Sequence, residues 1–310
     1  ATLYTGTGTD LVIANQAQFK PDFVWTKARS AAIGHLLYDS VRGATKYLQS
    51  ASTSAEGTGT DSLTSFNTNG FSVGADTSTT GVNQSGTTYV GWQWQAGQGS
   101  TSSNTSGSIT STVSVSTTAG FSVVTYTGTG ANATVGHGLG VAPKMIIVKN
   151  RSNGGAGDGA WQVYHVSIGA ANYLVLNTSA ASAAGSTRWQ STTPDASKFY
   201  IGNTGSVNNT SENYVAYCWA EIAGFSAFGS YTGNGSADGP FVYLGFRPEF
   251  ILIKYSSGAE NWAIWDTSRN TYNVMDTILR PDSTAADTSG STQNIDFVSN
   301  GFKIRGTDGK

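Results

Sequence analysis

Short apolar runs separated by small polar residues recur along the chain, and three of them open on proline. Pro21 precedes Asp22-Phe23-Val24-Trp25-Thr26-Lys27, Pro143 precedes Lys144-Met145-Ile146-Ile147-Val148-Lys149, and Pro248 precedes Glu249-Phe250-Ile251-Leu252-Ile253-Lys254. Proline at the start of a strand removes an N–H where its loss costs least. The run after Pro143 is apolar at consecutive positions, which predicts a central strand buried on both faces. Tyr89-Val90-Gly91-Trp92-Gln93-Trp94 and Phe71-Ser72-Val73 alternate instead, as half-buried strands do.

These runs belong to a repeat. Tyr4-Thr5-Gly6-Thr7-Gly8 returns as Tyr126-Thr127-Gly128-Thr129-Gly130 and as Tyr231-Thr232-Gly233-Asn234-Gly235, each followed 17 residues later by its proline. Gly70-Phe71-Ser72-Val73 is matched by Lys198-Phe199-Tyr200-Ile201 and Gly301-Phe302-Lys303-Ile304. Tyr89-Val90-Gly91-Trp92-Gln93-Trp94 is matched by Tyr214-Val215-Ala216-Tyr217-Cys218-Trp219, and the sequence reaches Lys310 before a third copy. Ala119-Gly120-Phe121-Ser122 and Ala223-Gly224-Phe225-Ser226 lead into the later two units, with nothing equivalent before Tyr4. The repeats divide the chain into a unit over 1–97 without its lead-in strand, a unit over 119–222, and a unit over 223–310 without its closing strand. Residues 98–118 read as a Ser/Thr/Gly-rich linker. Their second reading is an edge strand, because Ile109 to Val115 alternates. The second and third units adjoin with no linker, so they are expected to be rigidly joined and the first unit freer. Units of roughly this length with many short strands predict an all-β chain of tandem antiparallel sandwiches, of jelly-roll or concanavalin A-like type.

Composition narrows the functional classes. A net charge of −2 over 310 residues leaves no electrostatic footprint for duplex nucleic acid. No apolar run approaches the ~18 residues that a membrane-spanning helix needs, so no membrane insertion is expected. Cys218 is the only cysteine, too few for an intrachain disulfide or a thiolate metal cage. Charged residues are 12% and Ser plus Thr number 78, yet 8 Trp, 14 Tyr and 13 Phe are too many for a disordered chain.

Chemistry is sparse. His35, His137 and His165 are not spaced as metal ligands. The repeated polar signal is a carboxylate with an arginine three residues on: Asp39 with Arg42 in the first unit and Asp266 with Arg269 in the third. The middle unit has His165 and Ile168 there. One reading pairs each Asp with its Arg at a strand end. A second has the pair contact a ligand, such as sugar hydroxyls, through the rigid guanidinium fork. A glycosidase needs two carboxylates about one bond, and each unit offers one at this place. No catalytic residue, metal site or cofactor is therefore expected. Trp189, between Arg188 and Gln190 in a polar stretch without a counterpart in the other units, is the tryptophan expected to be exposed and is the third candidate for ligand contact.

The blocks His137-Gly138-Leu139-Gly140, Trp161-Gln162-Val163-Tyr164-His165, Phe225-Ser226-Ala227-Phe228-Gly229-Ser230-Tyr231 and Ile295-Asp296-Phe297-Val298-Ser299-Asn300-Gly301-Phe302-Lys303, together with the proline-led strands, resemble a repeat domain of tailed marine bacteriophage virion proteins. Domains of that kind are described as tail-fibre or concanavalin A-like lectin domains. The resemblance implies a virion surface protein, extracellular, partnered by copies of itself, by other virion proteins and by host surface glycan. It also implies a closing strand after Gly301-Phe302-Lys303, supplied by a longer fibre or by a neighbouring chain. The alternative function is an architectural filament or sheath subunit that assembles by strand exchange without a receptor. A polysaccharide depolymerase is the remaining and least expected reading.

Overall fold

A computed structural model describes residues 1–77, 80–290 and 292–307. The sequence end at Lys310 lies outside the described residues. The chain is all-β and its strand ladders are antiparallel. The first unit contains β1 (Thr2–Thr5), β2 (Leu11–Ala14), β3 (Phe23–Ala28), β4 (Leu36–Asp39), β5 (Lys46–Gln49), β6 (Gly57–Thr58), β7 (Leu63–Asn67), β8 (Gly70–Val73) and β9 (Thr88–Trp94). A large sheet ordered β1-β9-β3-β4-β5-β6 faces a small one ordered β2-β8-β7. The second unit contains β10 (Ser102–Asn104), β11 (Ser111–Ser116), β12 (Phe121–Thr127), β13 (Ala133–Gly136), β14 (Met145–Asn150), β15 (Gln162–His165), β16 (Asn172–Val175), β17 (Ala183–Ala184), the single-turn α1 (Ser186–Trp189), β18 (Lys198–Ile201), the single-turn α2 (Gly205–Asn208) and β19 (Asn213–Trp219). Its large sheet runs β10-β11-β12-β19-β14-β15-β16-β17 and its small one is β13-β18. The third unit contains β20 (Phe241–Tyr243), β21 (Phe250–Ile253), β22 (Ala263–Asp266), β23 (Ile295–Val298) and β24 (Gly301–Ile304), paired as β21-β22 and β20-β24-β23.

The glycine in the repeated Gly-Phe marker is a matter of space. A Cβ on Gly70 would sit 2.0 Å from the Ile13 carbonyl oxygen, and one on Gly301 would sit 2.0 Å from that of Val242. Both glycines let a small-sheet strand lie against its neighbour.

Side chains alternate between two cores, because successive strand residues face opposite sides of a sheet. Val24 of β3, Ile146 and Val148 of β14, and Ile251 of β21 point into their own unit, between its two sheets. Phe23 and Trp25, Ile147, and Leu252 point the other way, into one cluster shared by all three units. The closing strands alternate likewise: Val215, Tyr217 and Trp219 face the shared cluster, whereas Tyr214, Ala216 and Cys218 face the second unit's interior. In the shared core Phe23 stacks on Tyr217 at 4.3 Å, Trp94 meets Trp219 edge-on at 6.2 Å, and Trp92 meets Phe250 edge-on at 6.0 Å.

Two expectations change here. Residues 98–118 are not a free linker: β10 and β11 form a hairpin that extends the second unit's sheet through β12. Asp22 of the first unit fastens this segment. Its fully buried carboxylate accepts from the Ala96, Gln98 and Gly99 amides, each at 2.7 Å, and from the Ser114 hydroxyl at 3.2 Å. The first unit is accordingly held against the second and not tethered loosely to it. The alternation in β9, expected to mark a half-buried strand, has Tyr89 to Trp92 buried on both faces, because the other units cover what a lone sandwich would leave wet.

A core contiguous across units couples their unfolding. Heating is expected to give one calorimetric transition with equal calorimetric and van't Hoff enthalpies. Trp161→Ala, which empties part of the shared core, is expected to lower stability by about 3–5 kcal/mol in urea titration. Separate transitions for the three units would contradict both expectations.

Candidate functional site

The repeated Asp–Arg pairs end β4 and β22 in the same turn. Asp39 Oδ1 accepts the amides of Val41 at 3.1 Å and Arg42 at 2.8 Å, and Asp266 Oδ1 accepts those of Ser268 at 3.1 Å and Arg269 at 3.0 Å. These are Asx turns, in which the side chain stands in for the backbone acceptor. The turn aims each arginine back over its strand. Arg42 Nε bonds Asp39 Oδ2, and Arg269 Nε bonds Asp266 Oδ2 at 2.6 Å. Nη2 of Arg42 donates to the Leu37 carbonyl at 2.9 Å, and that of Arg269 to the Ile264 carbonyl at 2.8 Å.

Each pair closes a seam between two units. The Tyr217 hydroxyl of the second unit donates to Asp39 Oδ2 at 2.8 Å, and the Trp92 indole of the first unit donates to Asp266 Oδ2 at 3.0 Å. Tyr217 and Trp92 occupy matching positions in β19 and β9. Arg42 Nη1 reaches Glu56 at 3.1 Å, and Glu56 is gripped by both ends of Arg151 at 2.8 and 3.0 Å. In the other seam Arg269 Nη1 reaches Asp287 at 3.0 Å, which also holds Arg29 at 2.7 Å. The backbone repeats too: the Glu56 amide donates to the Arg151 carbonyl at 2.9 Å, and that of Asp287 to the Arg29 carbonyl at 2.8 Å. Burial alone would raise the Glu56 carboxyl, but hydrogen bonds and charge from Arg151 and Arg42 outweigh it and hold the group below its ordinary value.

The third seam, between the third and second units, uses other residues at the same four places. His165 and Ile168 stand where Asp39 and Arg42 stand, and Ser182 and Ser256 stand where Glu56 and Arg151 stand. The Ser182 amide and hydroxyl both donate to the Ser256 carbonyl at 2.9 Å. The framework around the swap is kept. Trp161 donates to the Gln49 carbonyl at 2.9 Å and Trp262 to the Val175 carbonyl at 3.0 Å. His35 takes this place in the first unit, beside the Arg280 main chain, with Nδ1 accepting from Trp25 at 2.9 Å. Lys149 donates across its seam to Thr53 at 3.0 Å and Lys254 to Ser179 at 3.1 Å. Desolvation pushes Lys149 down to about 7. The units thus meet in a cycle, second on first, first on third and third on second.

Asp39, Arg42, Asp266 and Arg269 have side chains at most 1% exposed, so their polar atoms face protein and present no surface to a ligand. The two carboxylates lie in different seams and do not flank a common space. Trp189, expected to be exposed, is 2% exposed and packs edge-on against Tyr164 at 6.2 Å. The single turn of α1 folds its indole into the second unit's interior. The structure therefore brings each Asp together with its own Arg, and it leaves Trp189 with neither. Sequence reasoning missed Glu56, Asp287, Arg29 and Arg151. Arg29 and Arg151 carried a signal, since both follow the proline-led strands at the same distance. Glu56 and Asp287 sit in polar stretches that do not align. Among the described residues no three His, Cys, Asp or Glu side chains gather as a metal site.

Fold and seams together define a class: an all-β protein of three repeated units closed around a common core. The whole chain, residues 1–310, matches the family described as "Domain of unknown function (DUF7483)", and it belongs to that family. No match was found among curated proteins or solved structures.

Removing one member of a buried charge network strands the others, at a cost of about 3–5 kcal/mol, whereas replacing all of them together costs far less. Arg42→Ala is expected to show that loss by denaturant titration. The fourfold variant Asp39→His, Arg42→Ile, Glu56→Ser, Arg151→Ser, which copies the third seam, is expected to lose much less than the four single changes combined. Acid provides an independent check. Because the folded Glu56 carboxyl lies below its unfolded value near 4.5, its stabilisation is complete above that value and is lost as pH falls through the folded one. Stability measured from pH 7 to pH 3 is expected to fall more steeply for the parent chain than for Glu56→Gln, which keeps the shape of that side chain without its titration.

Proposed function

We propose that this chain is an architectural subunit of a virion or comparable extracellular assembly, a rigid three-unit block whose task is to hold shape and to join neighbours. The observation that carries the reading is the fate of the repeated Asp–Arg pairs. They are buried in the seams and hold unit to unit, where a receptor-binding repeat would turn its polar groups outward. The virion setting rests on the likeness of the repeat to phage fibre domains, as does the jelly-roll or concanavalin A-like trace within each unit.

A second reading, contact with host glycan, draws on the exposed aromatics of the third unit. Tyr272 is 83% exposed and Tyr243 70%, and sugars stack on such rings. It moves the contact away from Asp39, Arg42, Asp266, Arg269 and Trp189.

Light scattering and negative-stain microscopy of the purified chain over a range of concentrations test the architectural reading. Ordered oligomers or filaments with no signal on a glycan array are expected. A monomer at all concentrations that binds glycans, and loses that binding in Tyr272→Ala or Tyr243→Ala, would favour the second reading. Incubation with polysaccharide is expected to release no reducing ends.

A further inference from the structure

A lysine stands at the same place in each proline-led strand: Lys27 of β3, Lys149 of β14 and Lys254 directly after β21. The three places differ in what they offer a proton. Lys254 is half-buried, and the carbonyls of Ser179, Tyr255 and Glu260 accept from it at 3.1, 2.9 and 2.8 Å. That is one acceptor for each N–H of an ammonium group. Lys27 is buried and bonds the Ala28 and Ala31 carbonyls at 2.6 and 3.4 Å, with the charge of Asp287 to favour its proton. Lys149 is fully buried and has two acceptors, the Thr53 carbonyl across the seam at 3.0 Å and the adjacent Asn150 carbonyl at 2.7 Å. Two acceptors match the two N–H groups of a neutral amine. The third N–H of an ammonium would have only the Trp161 ring, whose centroid at 6.0 Å lies at the outer limit of cation–π attraction.

The other ionisable groups around Lys149 are engaged elsewhere. Asp39, Arg42, Glu56 and Arg151, with the Tyr217 hydroxyl of β19, bond one another across this seam. Tyr164 of β15 and Tyr214 and Cys218 of β19 face the second unit's interior, on the other side of the sheet. His165 lies opposite Met145, at the far end of β14. Glu212 is bonded by Asn150 and Asn153, and Asp158 lies against Gly205. Desolvation therefore drives Lys149 down to about 7 with no charge opposing it, whereas at Lys27 Asp287 opposes the same effect and the value falls to about 8.

We propose that the seam between the first and second units is a proton-sensitive latch: Lys149 is a neutral amine while the seam is closed, and the seam loosens when that nitrogen takes up a proton. The closed seam supplies what the amine needs and nothing for a further N–H. An ammonium there must draw in water or leave, and either breaks the bond to Thr53. The sign follows from linkage. An opened Lys149 binds its proton below its ordinary value of 10.5, and the closed one only below about 7. Closure therefore releases a proton between these values, and its stabilisation is complete above the higher one and lost as pH falls to the lower. This range lies above the one in which Glu56 titrates, so the same seam responds twice, through different residues. The latch belongs to the fold and holds whatever the block is part of.

Two measurements on the full chain test it. In the parent chain labelled with carbon-13 lysine, the Lys149 Cε signal is expected to titrate with a midpoint near 7, apart from ordinary lysines near about 10. This reading needs no variant to fold. Urea titration then compares the parent with Lys149→Met, which keeps the stem and cannot titrate. The ratio of their unfolding constants, parent over variant, is expected to fall by close to tenfold per pH unit from pH 8 to pH 9 and to stay level from pH 6 to pH 5. Lys27, the tyrosines and Cys218 titrate in both chains and cancel in the ratio. The Glu56 amide, which crosses this seam to the Arg151 carbonyl, is expected to gain hydrogen-exchange protection from pH 6 to pH 8 in the parent relative to the variant. Lys254→Met is expected to keep the parent's pH dependence. A Lys149 midpoint near that of ordinary lysines, a ratio that does not change with pH, a Glu56 amide that gains no protection, or equal flattening by Lys254→Met would overturn the proposal.

Discussion

The shared core, in which three large sheets turn their outer faces toward one another, is the contact on which the rest of the structure depends. A lone sandwich has one buried face per sheet and can leave the other polar. Here Trp25, Trp92, Trp161 and Trp262 sit on the outward faces of their own units and are buried only because the neighbouring units cover them. Aromatic burial of that extent dominates the energetics, and it places the seams where charged groups must be either paired or absent. The Asp–Arg networks and the Ser182–Ser256 contact are two solutions to that one constraint.

The seams also explain why so little of the chain's charge is available for chemistry. With few charged residues, the chain commits Asp39, Arg42, Glu56 and Arg151 to one seam and Asp266, Arg269, Asp287 and Arg29 to another. In each network the aspartate of the turn accepts from both a guanidinium and a neutral aromatic donor. Such a network is worth little against a well-packed apolar alternative, but it is costly to break in part. The third seam, with His165, Ile168, Ser182 and Ser256 at the same places, dispenses with the network in the same molecule. Its existence shows that the backbone framework, with the tryptophan-to-carbonyl bonds at Gln49 and Val175, does not require the charges.

Much of the strand pattern was legible from sequence, because proline, glycine and alternating aromatics mark strand starts, close approaches and faces. The Asp–Arg turn was legible as a local pairing for the same reason: its spacing of three is short-range. What was not legible is anything that depends on the units touching. Tyr89 to Trp92 reads as half-buried because alternation reports one face and cannot say what covers the other. Residues 98–118 read as a linker because Ser, Thr and Gly suit both a flexible segment and a thin edge hairpin, and only the Asp22 carboxylate decides between them. Trp189 reads as exposed from its polar neighbours, whereas one turn of helix folds it inward. Glu56 and Asp287 lie at unequal distances from their strands, so no repeat offset could pair them.

The unequal chemistry of the three seams gives them unequal responses to a single substitution. Two seams carry buried charge networks, whereas the third joins Ser182 to Ser256, Lys254 to Ser179 and Trp262 to Val175. Loss of one charge strands its partners in the first two seams, whereas the third has no such network to break. The same kind of change therefore costs different amounts at equivalent places of the three repeats.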